Sequence, residues 1–289
     1  MNLNSIKEED LKDVFNELED AFKTLNIDYY LIGAIARDVW YSQGGKTSRT
    51  SKDVDFAVLV GSEKEYQTIR EYLKDNKGFN TTAQNGFVLI TPSGINVDIL
   101  PFGGIEIDAS VKLDAVGMSS IRVNGFHEVY QAGTNAVTLK TGHHFKVATL
   151  PAIVLLKLIA FDDRPEKREK DPRDIANIIE HFFDLQSDLV YSEQNLDIFQ
   201  VEEEEVNKMT MQDIASIVIG RELALIIAEN NNLKTRIINM LEKHIALADK
   251  SLFIRNMAIE TGKPIIEMTS WLTRMLNGLT HTPAGVPSE

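Results

Sequence analysis

The chain has 289 residues, of which 43% are hydrophobic and 25% charged, a composition typical of a globular protein with one or two domains. It contains no cysteine, which excludes disulfides and thiolate metal sites, and its net charge of −13 argues against a general binder of duplex DNA. The N-terminal residues do not resemble a signal peptide and the apolar runs are too short to span a bilayer, so we expect a cytoplasmic protein without a membrane partner.

Helical and strand patterns alternate in the first half of the chain. The predicted elements, in order, are an amphipathic helix at 6–25, a strand at 29–32, a helix at 34–41, a polar loop at 43–51, a strand at 54–60, a helix at 63–74 and strands at 87–90 and 95–100. Alternating apolar and polar residues predict further strands between 121 and 147.

The second half reads as helix. Thr149 and Pro151 predict a helix start, Arg164-Pro165 ends that helix, and another begins near Asp171-Pro172. Residues 209–276 are predicted to be helical, with breaks at Ser251 and 262–264. We expect the acidic run 202–205 to be a linker or a helix start, and the tail at 281–289 to be frayed. The predicted fold class is therefore α+β: a small mixed β-sheet domain with flanking helices at 1–148, followed by a mainly α-helical domain at 149–289.

Two carboxylates begin the strand predicted at 54–60, in the order Asp53-Val54-Asp55. Residues i and i+2 of a strand share a face, and Mg²⁺ is typically held by one or two carboxylates together with substrate phosphates. Asp98 interrupts another apolar strand and would complete a two-metal site. The spacing alone also fits a solvated strand edge, and Glu106-Ile107-Asp108 repeats it.

A glycine turn, Gly33-Ala34, joins the strand predicted at 29–32 to the following helix. Glycine permits a tight turn, and the N–H groups at the start of the helix form an anion site that suits a triphosphate. Many strand-to-helix turns contain glycine without binding a ligand, so the turn is informative only beside the carboxylates.

The second half supplies candidate cations. Lys157 lies on an apolar helix, where its amine must either reach solvent or have a partner. The mixed-charge run 164–174 either holds phosphates or forms an ordinary solvated surface.

Taken in chain order, these features resemble a known superfamily. The glycine turn, the run Arg49-Thr50-Ser51-Lys52-Asp53-Val54-Asp55 and the strand-borne Asp98 are similar to the polymerase-β-type nucleotidyltransferases. The later set of Lys157, Arg164 and Lys170-Asp171-x-x-Asp174 resembles the AbiEii/AbiGii abortive-infection toxin nucleotidyltransferases in particular. The resemblance spans roughly residues 28–180, and the motifs do not extend over the rest of the chain.

The resemblance implies a role for each matching residue. Asp53, Asp55 and Asp98 would bind two Mg²⁺ ions, and Lys157 and Asp174 match the catalytic lysine and aspartate of the toxin branch. The residues expected to bind the nucleoside triphosphate are Gly33, Ala34, Arg37, Arg49, Ser51, Lys52 and Lys170. The superfamily commonly has Gly-Ser or Gly-Gly at the turn, whereas Ala34 has no hydroxyl, so backbone N–H groups would bind the triphosphate.

The implied reaction is Mg²⁺-dependent transfer of a nucleoside monophosphate from an NTP to an acceptor hydroxyl, with release of pyrophosphate. The resemblance suggests tRNA, another cellular RNA or a protein target as acceptor, and a cognate antitoxin as a protein partner. Two alternatives stay open: the acidic balance suits a cationic small molecule such as an aminoglycoside, and Ala34 allows a catalytically inactive binding module. His127, His143 and His144 lack carboxylates at ligand spacing and are not expected to bind a transition metal.

Overall fold

The computed structural model describes residues 8–46, 53–113, 120–200 and 209–281. Arg49, Ser51 and Lys52 of the predicted triphosphate site, the acidic run 202–205 and nearly all of the predicted tail lie outside the described residues. The chain divides into two compact units, Met1–Thr149 and Leu150–Glu289. The first unit mixes helices and strands and the second is helical, which confirms the predicted α+β class.

Seven strands of the first unit form one mixed sheet. They are β1 (Asp28–Ile32), β2 (Asp53–Leu59), β3 (Asn80–Thr81), β4 (Val88–Ile90), β5 (Asn96–Phe102), β8 (Thr134–Thr138) and β9 (His144–Ala148), while β6 (Ser110–Lys112) and β7 (Ser120–Arg122) form a separate hairpin. The order across the sheet is β3-β4-β5-β2-β1-β9-β8. β2 pairs in parallel with β5, and β1 with β9, whereas the other neighbours are antiparallel. The two strands that carry the candidate aspartates are therefore adjacent in the middle of the sheet.

One face of this sheet packs against aromatic residues of the first helix. The helices of the unit are α1 (Glu8–Thr24), α2 (Gly33–Gln43), α3 (Glu63–Lys77) and α4 (Phe126–Ala132). The ring of Phe56 on β2 lies 6.0 Å from that of Phe15 and 5.9 Å from that of Phe22, both on α1, measured between centroids. Because successive strand residues face opposite sides, this packing turns Asp53 and Asp55 to the other face of the sheet.

The further strands predicted between 121 and 147 are present as β7, β8 and β9, but the helix α4 between β7 and β8 was not predicted. Gly125 precedes the helix with a φ of 84°, and Phe126 and Val129 are buried at the i, i+3 spacing of a helix. A seven-residue helix is too short to show a clear helical period, and its β-favouring residues mimic a strand.

The second unit consists of packed helices. They are α5 (Leu150–Asp163), α6 (Lys170–Leu185), α7 (Ser187–Val190), α8 (Met211–Ile226), α9 (Asn231–Leu247), α10 (Leu252–Thr261) and α11 (Ile265–Thr280). The predicted breaks at Ser251 and 262–264 are present, and an additional break before Asn231 was missed. Gly220 of α8 and Gly278 of α11 lie where the two helices touch, because a Cβ on either would overlap the backbone of the other helix.

Candidate active site

The turn between β1 and α2 leaves no room for a side chain at Gly33. Its φ is 70°, a conformation that favours glycine, and an added Cβ would overlap Oδ2 of Asp55 and lie 2.8 Å from its Cγ. The carboxylate of Asp55 therefore packs directly on the backbone of this turn. Ile32 at the N-cap provides no side-chain hydrogen bond to α2, so no cap side chain competes for the first N–H groups of the helix. The backbone N–H groups at the start of α2 can therefore bind an anion.

Asp55 and Asp98 are direct neighbours across two parallel strands. The register pairs Asp55 with Asp98 and Asp53 with Asn96, and adjacent strands lie about 4.8 Å apart. Asp55 and Asp98 are partly exposed and Asp53 is exposed, whereas the alternating residues Val54, Phe56, Val97 and Ile99 are fully buried on the other face. The carboxylates are thus presented by two rigid strands at the point where β1 ends and α2 begins.

Asn96 adds a polar contact that the sequence analysis did not single out as part of the site. Its Nδ2 donates a hydrogen bond to Oδ1 of Asp53 over 3.0 Å. Asn96 stands two residues before Asp98 on the same face of β5. The two-residue spacing of Asn96 and Asp98 is visible in the sequence. The contact with Asp53 can be inferred from it only when the pairing of β2 with β5 is known.

The carboxylates fit a metal that binds together with a substrate. Among the described residues, no group of three or more histidine or carboxylate side chains is arranged to hold a metal ion by itself. Mg²⁺ needs only one or two carboxylates when substrate phosphates supply the other oxygen ligands. The adjacent Asp55 and Asp98 match that donor set, and the turn at Gly33 lies directly beside Asp55.

Ala34 and Arg37 occupy the first turns of α2. Ala34 is partly exposed, whereas the side chain of Arg37 is only 5% exposed. The Arg37 guanidinium donates to Oδ1 of Asp38 from Nε (3.2 Å) and Nη2 (3.1 Å). Its central carbon, Cζ, lies 5.7 Å from the ring centroid of Tyr41. Asp38 and Tyr41, the partners in these contacts, both lie on α2.

A buried ionic cluster forms in the second unit around Lys157. Its Nζ donates to Oδ1 of Asp171 over 3.1 Å and to Oδ2 of Asp174 over 2.6 Å. Burial lowers the pKa of Lys157, but the carboxylates of Asp171 and Asp174 outweigh that effect and raise the pKa above its usual value. In the described part of the chain, Oδ2 of Asp171 is buried without a hydrogen-bond partner. Lys170, at the start of α6, is exposed.

The structure thus groups the predicted residues in two sets. Gly33, Asp53, Asp55 and Asp98 lie together in the first unit, and Lys157 and Asp174 lie together in the second. Asp171 belongs to the second set and was missed as a site residue, although it lies three residues before Asp174 on the same helix, where neighbouring side chains share a face.

Two other candidates noted in the sequence are the Glu106/Asp108 pair, which lies at a turn, and His143, which is buried. Asp108 adopts a φ of 49° in a turn after Glu106, whose Oε1 accepts from the N–H of Gly103, so this pair is not presented on a strand. His143 is buried, and its ring nitrogens contact Thr141 Oγ1 and Asn16 Oδ1 at 2.9 and 3.0 Å. Burial lowers the pKa of His143. None of the described helices is long and apolar enough to cross a membrane.

Comparison with known families gives one match that spans most of the chain. The model of the nucleotidyl transferase AbiEii toxin of Type IV toxin–antitoxin systems matches residues 18–248. The match extends well beyond residue 180, where the resemblance based on motifs ended. A search of curated proteins returns no match.

Solved structures with some similarity include three nucleotide-transferring proteins. A lincomycin-bound lincosamide adenylyltransferase, LnuA, is 18% identical, with a TM-score of 0.35 over 53% of this chain and 86% of its own. The antibiotic-resistance factor ANT(2'')-Ia is 10% identical, with a TM-score of 0.40 over 82% of this chain and 100% of its own. The CCA-adding enzyme of Thermotoga maritima, complexed with tRNA, is 12% identical, with a TM-score of 0.33 over 95% of this chain and 81% of its own. Scores at this level do not select an acceptor for this chain.

Proposed function

Because the chain belongs to the AbiEii family of nucleotidyl transferase toxins, we propose that it transfers a nucleoside monophosphate from an NTP to a hydroxyl of tRNA or another RNA, and that it is the toxin of a toxin–antitoxin pair. The observation that carries the proposal is the pairing of Asp55 with Asp98 beside the turn at Gly33. Carboxylates paired across rigid strands, next to the open start of a helix, suit a metal-bound triphosphate.

In the proposed site the strand carboxylates bind the cation and the start of α2 binds the phosphates. Asp55 and Asp98, with Asp53, would hold Mg²⁺ together with the triphosphate, and the bound cation would neutralise phosphate charge and lower the pKa of the acceptor hydroxyl. The N–H groups at the start of α2 bind phosphate oxygens. The absence of a side chain at Gly33 lets the Asp55 carboxylate pack against the turn, so a cation held by Asp55 would lie beside the start of α2, and the backbone N–H groups there would replace the missing hydroxyl at Ala34.

Asp98 is the residue we assign to the acceptor. Its carboxylate takes the proton of the attacking hydroxyl while the hydroxyl oxygen forms a bond to the α-phosphorus. The bond from that phosphorus to the bridging oxygen breaks, and pyrophosphate leaves with the electron pair. A carboxylate on a central strand suits this role because its position is fixed before the substrates bind.

Lys157 is proposed to take part in the reaction as the catalytic lysine that the resemblance implies, with Asp171 and Asp174 orienting its amine. The Lys157 ammonium group has three N–H donors, and two of them form the hydrogen bonds to Asp171 and Asp174. The remaining donor is directed by the other two, and the raised pKa keeps the amine charged at neutral pH.

The test is transfer of label from each α-³²P-NTP, with Mg²⁺, to total bacterial tRNA. We expect transfer by the wild type and a loss of at least about 1,000-fold in Asp55→Asn/Asp98→Asn, since removal of charge-stabilising groups costs on this order or more. Asp108→Asn is the matched control, because that exposed turn has a positive φ that asparagine tolerates. The control should label tRNA as the wild type does.

The alternatives predict different results in the same assay. Label on an added aminoglycoside but not on tRNA would keep the enzyme class and replace the acceptor. Stabilisation of the wild type by Mg²⁺ and NTP, with no label on either acceptor, would point to another acceptor hydroxyl. An inactive binding module would show neither transfer nor stabilisation, and that result would overturn the proposal.

A further inference from the structure

We propose that Asn96 is a positioning residue for Asp53, and through it for the divalent cation; this inference rests on the proposed function. Asn96 and Asp53 are register partners at the start of β5 and β2. The amide Nδ2 donates to Oδ1 of Asp53 over 3.0 Å.

The chemistry of an amide suits this position. Asp53 is exposed, and an exposed carboxylate rotates freely unless a neighbour fixes its plane. Asn96 supplies a donor that fixes one carboxylate oxygen without bringing a positive charge. A lysine or arginine at the same place would hold Asp53 as well, but it would also repel the cation that the carboxylates are proposed to bind. Partners of metal-ligating carboxylates orient the ligands in this way.

The hydrogen bond is not needed to hold the two strands together. β2 and β5 are paired along seven residues, from Asp53 with Asn96 to Leu59 with Phe102, and the residues between are largely buried. Loss of one exposed side-chain contact at the end of this ladder therefore leaves the sheet intact. An effect of Asn96 on cation binding would be separable from an effect on folding.

The experiment measures cation binding directly. Mn²⁺ is titrated into the full-length protein in the presence of a non-hydrolysable α,β-methylene NTP analogue, and free Mn²⁺ is followed by electron paramagnetic resonance. We expect Asn96→Ala to weaken Mn²⁺ binding by about 3- to 10-fold, at or below the range typical of partners of metal ligands, since the contact is exposed. The melting temperature should stay within a degree or so of the wild type. Asn135→Ala, at an exposed asparagine on the edge strand β8, is the matched control and should bind as the wild type does.

A second readout separates positioning from structure. For Asn96→Ala, the Mg²⁺ concentration at half-maximal transfer should rise while kcat at saturating Mg²⁺ stays close to that of the wild type, and Asn96→Gln, which keeps an amide donor, should recover part of the affinity. Unchanged Mn²⁺ binding in Asn96→Ala, or a loss of activity that follows the melting temperature, overturns the assignment alone. If the wild type binds no Mn²⁺ with the analogue, the proposed function fails and the assignment fails with it.

Discussion

Two obstacles oppose a methyl group at Gly33. The backbone φ is 70°, which L-residues rarely adopt, and the carboxylate of Asp55 occupies the position of the added carbon. The first obstacle costs about 1–2 kcal/mol for an L-residue, and the second can be relieved only if Asp55 moves. We therefore expect Gly33→Ala to lose about 1–2 kcal/mol of unfolding free energy and at least about 10-fold in transfer activity, since displacement of a carboxylate from its position costs transition-state stabilisation. Urea unfolding and initial transfer rates measure the two effects.

Gly45 provides the control for this substitution. Its φ of 69° is almost the same, but nothing lies within 4 Å of an added Cβ. Gly45→Ala should therefore have a similar cost in stability and none in activity. Equal activity losses in the two variants would mean that backbone strain, rather than the position of Asp55, explains the requirement for glycine at residue 33.

Lys157 is predicted to be needed for stability as well as for catalysis. Lys157→Met leaves Asp171 buried, with both of its oxygens then lacking a partner among the described residues, and removal of one member of a buried ion pair costs about 3–5 kcal/mol. The partly exposed Asp174 reduces this figure, so we expect a loss of about 2–4 kcal/mol in chemical denaturation.

The double variant Lys157→Met/Asp171→Asn distinguishes the two roles of Lys157. Neutralising Asp171 removes the buried charge and should recover part of the stability lost in Lys157→Met. Transfer activity should not return, because the cation is still absent. Recovery of activity together with stability would show that Lys157 acts only through the fold.

Among the elements, the contact between α8 and α11 depends on two glycines. A Cβ on Gly220 would overlap the carbonyl oxygen of Met275 and lie 2.9 Å from the amide of Leu279. Alanine in a helix ordinarily stabilises by about 0.5–1 kcal/mol relative to glycine. Here the overlap is with backbone, which cannot rotate away, so we expect Gly220→Ala to destabilise by about 1–3 kcal/mol.

The sign of that change, measured by thermal or urea unfolding, is the decisive result. Ala246→Gly, on the exposed side of α9, gives the ordinary helix preference in the same unit and should be destabilising by about 1 kcal/mol. If Gly220→Ala were stabilising by a comparable amount, the helices would not touch at Gly220.

The elements that the sequence predicted well are those with a strong period or a clear end signal. The strand at 54–60 and the helices of the second half have long apolar runs, and Ser251 and Gly262 mark helix ends by a cap and a positive φ. The short helix α4 has neither signal. The 3₁₀ helix Glu193–Phe199 was missed for the same reason, since its seven residues, at three residues per turn, are too few to show a clear period.

The candidate site shows the same limit at the level of the whole fold. Asp53, Asp55, Asp98 and Gly33 were identified from local patterns and a resemblance, but local patterns do not give the register between distant strands. The pairing of Asp53 with Asn96, 43 residues apart, is a property of the sheet, as is the contact of Asp55 with Gly33. Asp171 stood in the motif beside Asp174, but its contact with Lys157 depends on how α5 packs against α6, which local patterns do not give.

Across the molecule, pH should affect stability through a histidine buried in the second unit. His244 packs against Phe161 and Phe253, with Nδ1 2.9 Å from Oγ of Ser251, and burial, aided by Lys243, lowers its pKa from 6.5 to about 4. Between those values the unfolded chain binds a proton that the folded chain does not, so the stability present above pH 6.5 is lost as pH falls. We expect a loss of about 1.5 kcal/mol from pH 7.5 to 5.5 and about 3 kcal/mol by pH 4.

His244→Phe tests this account, since it keeps a ring against the two phenylalanines and removes the titrating group. The variant should lose a roughly constant amount at every pH, about 1 kcal/mol for the hydrogen bond to Ser251, and most of the slope between pH 7.5 and 5.5. Urea unfolding followed by the helical circular dichroism signal in this range avoids the region near the isoelectric point of 5.0. In His244→Phe, a residual slope of unfolding free energy against pH is expected from His143, whose pKa is also lowered by burial. The control His127→Phe, at an exposed position, should keep the wild-type slope. A full slope in His244→Phe would assign the loss of stability to other groups, because a phenylalanine cannot take up the proton.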